Sequence, residues 1–269
     1  MPDTPYTHGH AESVLRSHRW RTATNSAAYL LPHLQPGHEL LDIGCGPGTL
    51  TCDLADRVAP GTVVGMDSAA EVVAAATAEA AERGTTNVTF DTGDVYALPF
   101  ADDRFDIVHA HQVLQHLTDP VTALRELRRV VRPDGIVAVR DSDYAAMTWA
   151  PDEPRLERWL DLYHQVTERN GAEADAGRYL KGWARAAGFA EVEVGSSTWT
   201  FASTEDRAWW GALWADRVEG ADSALARQAI EYGLATAGEL TELAAGWRSW
   251  ADADDGVFAV VHFEVLARG

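Results

Sequence analysis

Cysteine is scarce in this chain, with only Cys45 and Cys52 among 269 residues. Two neighbouring thiols supply no disulfide framework, which excludes a small stapled secreted fold and fits a reducing cytoplasm. Basic side chains are also few, 22 Lys and Arg against 41 Asp and Glu, for a formal charge of −19. A surface of that sign repels phosphate backbones and anionic lipid, so neither nucleic acid nor a membrane surface is an expected partner. There is no run of about 18 apolar residues to span a bilayer. Met1 to Glu12 is polar and lacks the apolar centre of a secretory signal, so a cytoplasmic protein is expected, with small molecules as its default partners.

What is present is ordinary globular material, 46% hydrophobic and 23% charged. From about Glu39 to Val139, strand-like and helix-like segments alternate, the pattern of βαβ units around a parallel sheet. Leu40 to Ile43, Thr62 to Met66, Val88 to Phe90, Phe105 to Val108 and Ile136 to Val139 read as strands. Leu50, Leu54 and Val58 recur at helical spacing, and so do Val121, Leu124, Leu127 and Val131 behind Asp119 and Pro120. Ser68 with Glu71 has the form of a capping box for a helix that Gly84 stops. Beyond Asp141 the texture changes, and nine of the ten tryptophans lie at Trp149 or later. Glu191 to Phe201 and Val257 to Leu266 alternate as strands, with helical spacing between them at Trp210, Leu213, Trp214 and Val218. The expected organisation is one domain over residues 1–269. A helical lid (1–36) precedes a cofactor-binding core (37–145), and the C-terminal half (146–269) carries a helical cap at about 204–250.

The most informative stretch is Asp42-Ile43-Gly44-Cys45-Gly46-Pro47-Gly48, after a strand and before a helix. Glycines there permit a tight turn and close approach of a ligand, and the helix N-terminus adds oriented N–H groups. A dinucleotide fingerprint would put its third glycine at position 49, which is Thr49, so the spacing disfavours a nicotinamide oxidoreductase. Asp67 falls about 20 residues past the glycines, where a carboxylate can hold ribose hydroxyls. Asp94 follows the third strand, where it can accept from an adenine amino group. Three acids at the ends of successive strands outline a nucleoside-sized site.

These segments, with Gly65-Met66-Asp67, Gly93 to Phe100, Phe105 to Ala110 and Val113-Leu114-Gln115-His116-Leu117, resemble the successive motifs of class I S-adenosylmethionine-dependent methyltransferases. The likeness runs from Glu39 to Asp143, and the nearest group is the ubiquinone/menaquinone-biosynthesis (UbiE-type) methyltransferases. It implies a Rossmann-like α/β fold, a mostly parallel seven-stranded sheet with an antiparallel seventh strand at Val257–Leu266 and a helical insertion between strands 6 and 7. It implies that Gly44, Cys45, Gly46 and Gly48 border the methionine and ribose of the cofactor. Asp67 and Ser68 would serve the ribose, Asp94 and Val95 the adenine, and His111 and Gln112 the methionine end. The quinone enzymes carry an Arg-Asn pair where this chain has Gln115-His116-Leu117, which points away from a quinone acceptor.

Methyl transfer needs alignment above all, and a general base where the acceptor must lose a proton. His111 and His116 are the candidate catalytic residues, with Asp141, Asp143 and Tyr144 as further candidates past the fifth strand. His8 and His10, and His109 and His111, are spaced by two, but no third ligand cluster accompanies them, so no metal is expected. Tyr6, His8, His10, Trp20 and Arg21 either fold over the cofactor or pack as an ordinary helix. The expected acceptor is a small, apolar metabolite, methylated on O, N or C. A homodimer stays open, as do a binding module that holds the cofactor without transfer and a use of the cofactor as a mere positive charge.

Overall fold

The computed structural model describes Thr7, the backbone of residues 12–15 and all of residues 16–269. Tyr6, His8 and His10 lie outside the described residues. The chain runs through α1 (Glu12–Arg19) and α2 (Ala23–Ser26) into β1 (Leu40–Ile43), α3 (Thr49–Val58), β2 (Val63–Asp67), α4 (Ala70–Arg83), β3 (Val88–Thr92) and β4 (Phe105–His111). Then follow α5 (Pro120–Val130), β5 (Val131–Ser142), β6 (Thr148–Ala150), α6 (Pro154–Arg169), α7 (Ala176–Ala187) and β7 (Glu191–Phe201). Three helices, α8 (Thr204–Glu219), α9 (Ala224–Glu231) and α10 (Ala237–Asp252), separate β7 from β8 (Val257–Arg268).

The sheet order is β3-β2-β1-β4-β5-β8. Strands β1 to β5 are mutually parallel, and β8 runs antiparallel to β5 on one edge and to β7 on the other. This is the Rossmann-like α/β fold with an antiparallel strand that the resemblance implies. The strand count differs by one: the three-residue β6 pairs with the start of β8, beyond the end of β5, giving eight strands. Strand order reverses between β1 and β4, and ligands of open α/β sheets bind at the carboxyl ends flanking such a reversal.

Strand alternation sorts the core into layers. Leu41, Val108, Val137 and Val265 meet Leu124 and Leu127 of α5 and Leu180 of α7 on one face. Leu40, Ile107, Ala138 and Leu266 meet Leu54 and Val58 of α3 on the other. A third cluster joins Trp159 of α6, Trp214 of α8, Trp247 and Trp250 of α10 and Phe258 of β8. The Trp159 ring lies edge-on to Trp214 at 4.5 Å and to Trp247 at 4.7 Å. Edge-to-face rings at such distances are favoured by the aromatic quadrupole.

Two local expectations are corrected. Ser68 and Glu71 form no capping box: α4 starts at Ala70 behind Ala69, and Asp67 Oδ1 accepts the Ala69 N–H at 3.2 Å. The aspartate forestalls the serine by turning the chain itself. Val131 belongs to β5, not to the face of α5, because the strand begins before the Pro133-Asp134-Gly135 segment. Gly84 does end α4, in the left-handed conformation at φ +70°.

Candidate active site

The loop after β1 turns through Gly44 at φ +65° and closes onto α3 at Gly48 with φ +85°. A Cβ on Gly44 would lie 2.4 Å from Val113 Cγ2, and one on Gly48 would lie 2.9 Å from Ala76 Cβ. Both positions therefore demand glycine on conformational and steric grounds. Hydrogen bonds stitch the loop to the neighbouring strand ends. Cys45 N donates to Met66 O at 3.0 Å, Gly46 N to Asp67 Oδ2 at 3.1 Å and Gly93 N to Asp67 O at 3.0 Å. Asp67 thus sits between the glycine turn and the loop that carries Asp94. Asp94 is exposed and accepts the Tyr96 N–H at 2.9 Å, Ser68 is exposed and Val95 half-buried. The Gly44, Asp67 and Asp94 segments converge on one edge of the sheet.

Other residues of this wall are structural. Asp42 is buried and accepts from Thr51 Oγ1 at 2.5 Å, with His109 Nδ1 2.7 Å away. The Cys45 thiol is buried, and burial raises its pKa far above the ordinary range, so it is no nucleophile.

The histidines differ in placement. His111 is buried against Trp199, ring centroids 5.7 Å apart, and does not line the cavity described below. Burial, with Arg21 and Arg140 close by, holds it neutral, and neither ring nitrogen has a hydrogen-bond partner. Gln112 takes the unusual φ of +54° and spans two elements: its Oε1 accepts from Arg21 at 2.5 Å and its Nε2 lies 2.9 Å from His262 Nε2. His116 does line the cavity, with its Nε2 3.0 Å from Gln115 Nε2, and burial together with Arg21 pushes its pKa down to about 3.

Past β5 the two aspartates part company. Asp143 makes a bidentate ion pair with Arg178 at 2.5 and 2.6 Å and serves the fold. Asp141 is fully buried; its Oδ1 accepts from Gln115 N at 3.1 Å, Oδ2 has no partner, and burial raises its pKa to about 7. It props the turn that presents His116. Ser142 Oγ donates to Gln115 Oε1 at 2.6 Å and supports the same turn.

A cavity opens at the carboxyl ends of β4 and β5. The N-terminal segment contributes Ser17, His18 and Arg21 to its wall, and the C-terminal half contributes Trp199, Trp210, Trp214 and Arg217. It encloses about 30 Å³ of free space. The segment is pinned on both sides: Thr49 Oγ1 donates to His18 O at 3.2 Å, Arg21 reaches Gln112, and Arg217 donates to Ser17 Oγ. Arg217, Met147 and Val260 had no local signal in the sequence; they arrive from α8, from the turn before β6 and from β8. Among the described residues no three His, Cys, Asp or Glu side chains are grouped to hold a metal, and no helix is long and apolar enough to cross a membrane.

Residues 34–191 match a family described as a methyltransferase domain. An uncharacterized methyltransferase of Schizosaccharomyces pombe is 33% identical over 271 residues, covering 97% of this chain and 95% of that protein. The ubiquinone/menaquinone biosynthesis C-methyltransferase UbiE of Bdellovibrio bacteriovorus is 39% identical over 103 residues, 38% of this chain and 43% of that one. In fold, the YcgJ protein of Bacillus subtilis superposes with a TM-score of 0.58 at 20% identity, covering 90% of this chain and 97% of that one. The chain belongs to the S-adenosylmethionine-dependent methyltransferase family, and its reaction is transfer of a methyl group from that cofactor.

Proposed function

We propose that this methyltransferase holds S-adenosylmethionine on the Gly44–Gly48 turn and methylates a small, apolar metabolite taken up beneath the helical cap. The observation that carries the cofactor placement is the Asp67 carboxylate, 3.1 Å from the Gly46 N–H and bonded through its own carbonyl to Gly93. Asp67 faces the ribose there, with Ser68 beside it, and Asp94 with the Val95 backbone takes the adenine. The turn through Gly44, Cys45, Gly46 and Gly48 leaves room for the methionine portion, and Gln112 borders its end with His111 beneath. The bound cofactor supplies an electrophilic methyl group on a sulfonium.

The protein's own task is to align the acceptor and keep water out, and positioning can be worth on the order of 7–11 kcal/mol. The lid formed by Ser17, His18 and Arg21 does the excluding. With about 30 Å³ of free space the cavity is too small for a metabolite as it stands, so the lid swings out for each ligand and returns for transfer. His116 orients the acceptor rather than accepting its proton, because a group at about 3 is a poor base at neutral pH. Two buried free thiols, Cys45 and Cys52, suit the reducing cytoplasm in which we place the enzyme.

The test is calorimetric titration with S-adenosylhomocysteine. Asp67→Ala is expected to weaken binding roughly 10²-fold, the size of one or two charge-assisted hydrogen bonds. An Asp67→Ala protein that binds like the wild type would overturn the placement.

A further inference from the structure

Among the described residues, those lining the cavity have a balance of charge opposite to that of the chain. Acidic side chains outnumber basic ones 41 to 22 overall, yet the described residues lining the cavity include Arg21 and Arg217 and no Asp or Glu. Its other polar groups are biased toward donation. Trp210 lines it with an indole N–H that is buried and has no hydrogen-bond partner. Two oxygens that could accept from a ligand, Gln112 Oε1 and Ser17 Oγ, already accept from Arg21 and Arg217. The aromatic walls, Tyr144, Trp199, Trp210 and Trp214, set the remaining demand for an apolar body.

Proton removal is poorly served on the same wall. His116 is pushed down to about 3, and the Asp141 carboxyl, at about 7, does not line the cavity. His18 leans on the glycine turn, its Nδ1 3.5 Å from where a Cβ of Gly46 would stand. A pocket of donors and guanidinium groups suits a ligand that has already lost its proton.

Resting on the cofactor placement above, we propose that the acceptor is a small apolar acid (a phenol, enol or carboxylic acid) held by Arg217 and Trp210 of α8 and methylated on oxygen as its anion. The anionic oxygen attacks the methyl carbon in line with the sulfur. The O–C bond forms as the C–S bond breaks, and the electron pair of the broken bond stays on sulfur as the neutral thioether. No proton is transferred within the site, because the acceptor gave its proton to solvent before binding. A negative and a positive charge vanish together, a change that a cavity poor in water favours.

The experiment compares 1-naphthoate with 1-naphthamide, equal in shape and different in charge, by calorimetry at pH 7 in the presence of S-adenosylhomocysteine. Naphthoate is expected to bind at least about tenfold tighter, the scale of one charge-assisted hydrogen bond. Arg217→Met should erase that preference, Arg217→Lys should keep part of it, and Trp210→Phe, which retains the ring but not the N–H, should reduce it several-fold. Trp210→Phe should keep the wild-type S-adenosylhomocysteine affinity, and the two Arg217 variants, which also lose the Ser17 contact that pins the segment, should lose no more than about tenfold; retained binding also reports that the variants are folded. Naphthoate binding no tighter than naphthamide to a protein that binds S-adenosylhomocysteine would overturn this proposal and leave the cofactor placement standing. Loss of S-adenosylhomocysteine binding in Arg217→Met would overturn it too, by assigning the guanidinium to the cofactor. A wild-type protein that ignores S-adenosylhomocysteine would remove both readings.

Discussion

The proposed cofactor wall, from Gly44 to Val95, is built of backbone: left-handed glycines, main-chain N–H groups and a carboxylate fixed by two of them. The proposed acceptor wall is built of side chains drawn from the N-terminal segment, β5, β7, α8 and β8. Backbone sites of the first kind tolerate little change and recognise one ligand. Side-chain sites of the second kind can be recut residue by residue without disturbing the sheet. One chain can therefore keep its methyl donor while its relatives diverge in acceptor.

If the walls are as independent as this, the largest disturbance of the second should leave the first intact. Trp247 is fully buried in the aromatic cluster and does not line the cavity. Trp247→Ala is expected to cost roughly 3–5 kcal/mol of stability, measured by urea unfolding, with unchanged S-adenosylhomocysteine affinity in the folded protein. A matching loss of affinity would show that cap and cofactor wall are one cooperative unit.

A smaller effect probes the seam between the walls. Arg21 joins the proposed lid to Gln112 at the end of β4. Arg21→Ala should speed S-adenosylhomocysteine release roughly tenfold in stopped-flow measurements, equivalent to about 1.4 kcal/mol, while amide exchange across α1 rises. An unchanged release rate would mean that the lid does not guard the cofactor.

The smallest effect is a pH dependence. The raised carboxyl pKa of Asp141, about 7, means that the folded protein holds this proton where the unfolded chain, near 4, has lost it. The burial of Asp141 therefore costs stability progressively as pH rises from about 4 to about 7. Asp141→Asn should raise the melting temperature by a few °C at pH 8 and leave it unchanged at pH 4. The buried histidines act in the opposite sense. His111, His116 and His262 have lowered pKa values, so their contribution to stability is lost as pH falls below about 6.5.

Much of the first wall was legible in the sequence because its determinants are local. A strand, three glycines and a helix occupy Leu40 to Val58, and their spacing alone forces the turn. The strand-end position of Asp67 was equally readable. The second wall was not, since contacts such as Arg217 to Ser17 and Trp199 Nε1 to Asn25 O join residues 200 and 174 positions apart. The stripe of Trp210, Leu213, Trp214 and Val218 announced a buried helix face, but no spacing shows which part of that face meets a cavity. His111 looked like a lining residue because it ends a strand; β7 brings Trp199 against it. Ser68 does not cap α4 because the chain, held by the Asp67 carboxylate on the Ala69 N–H, enters the helix one residue later, behind Ala69.

Strand β8 carries a further consequence, for the order in which the molecule assembles. It is wedged between β5 and β7, and its Glu264 pairs with Arg140 across 124 positions of chain. During synthesis β1 to β5 can zip together while the exposed edge of β5 waits, and only the emergence of residues 257–268 seals it. Closing so long a loop is slow, so a nascent chain stalled before Val257 would present an unpaired edge and an uncovered tryptophan cluster, the kind of surface that chaperones bind.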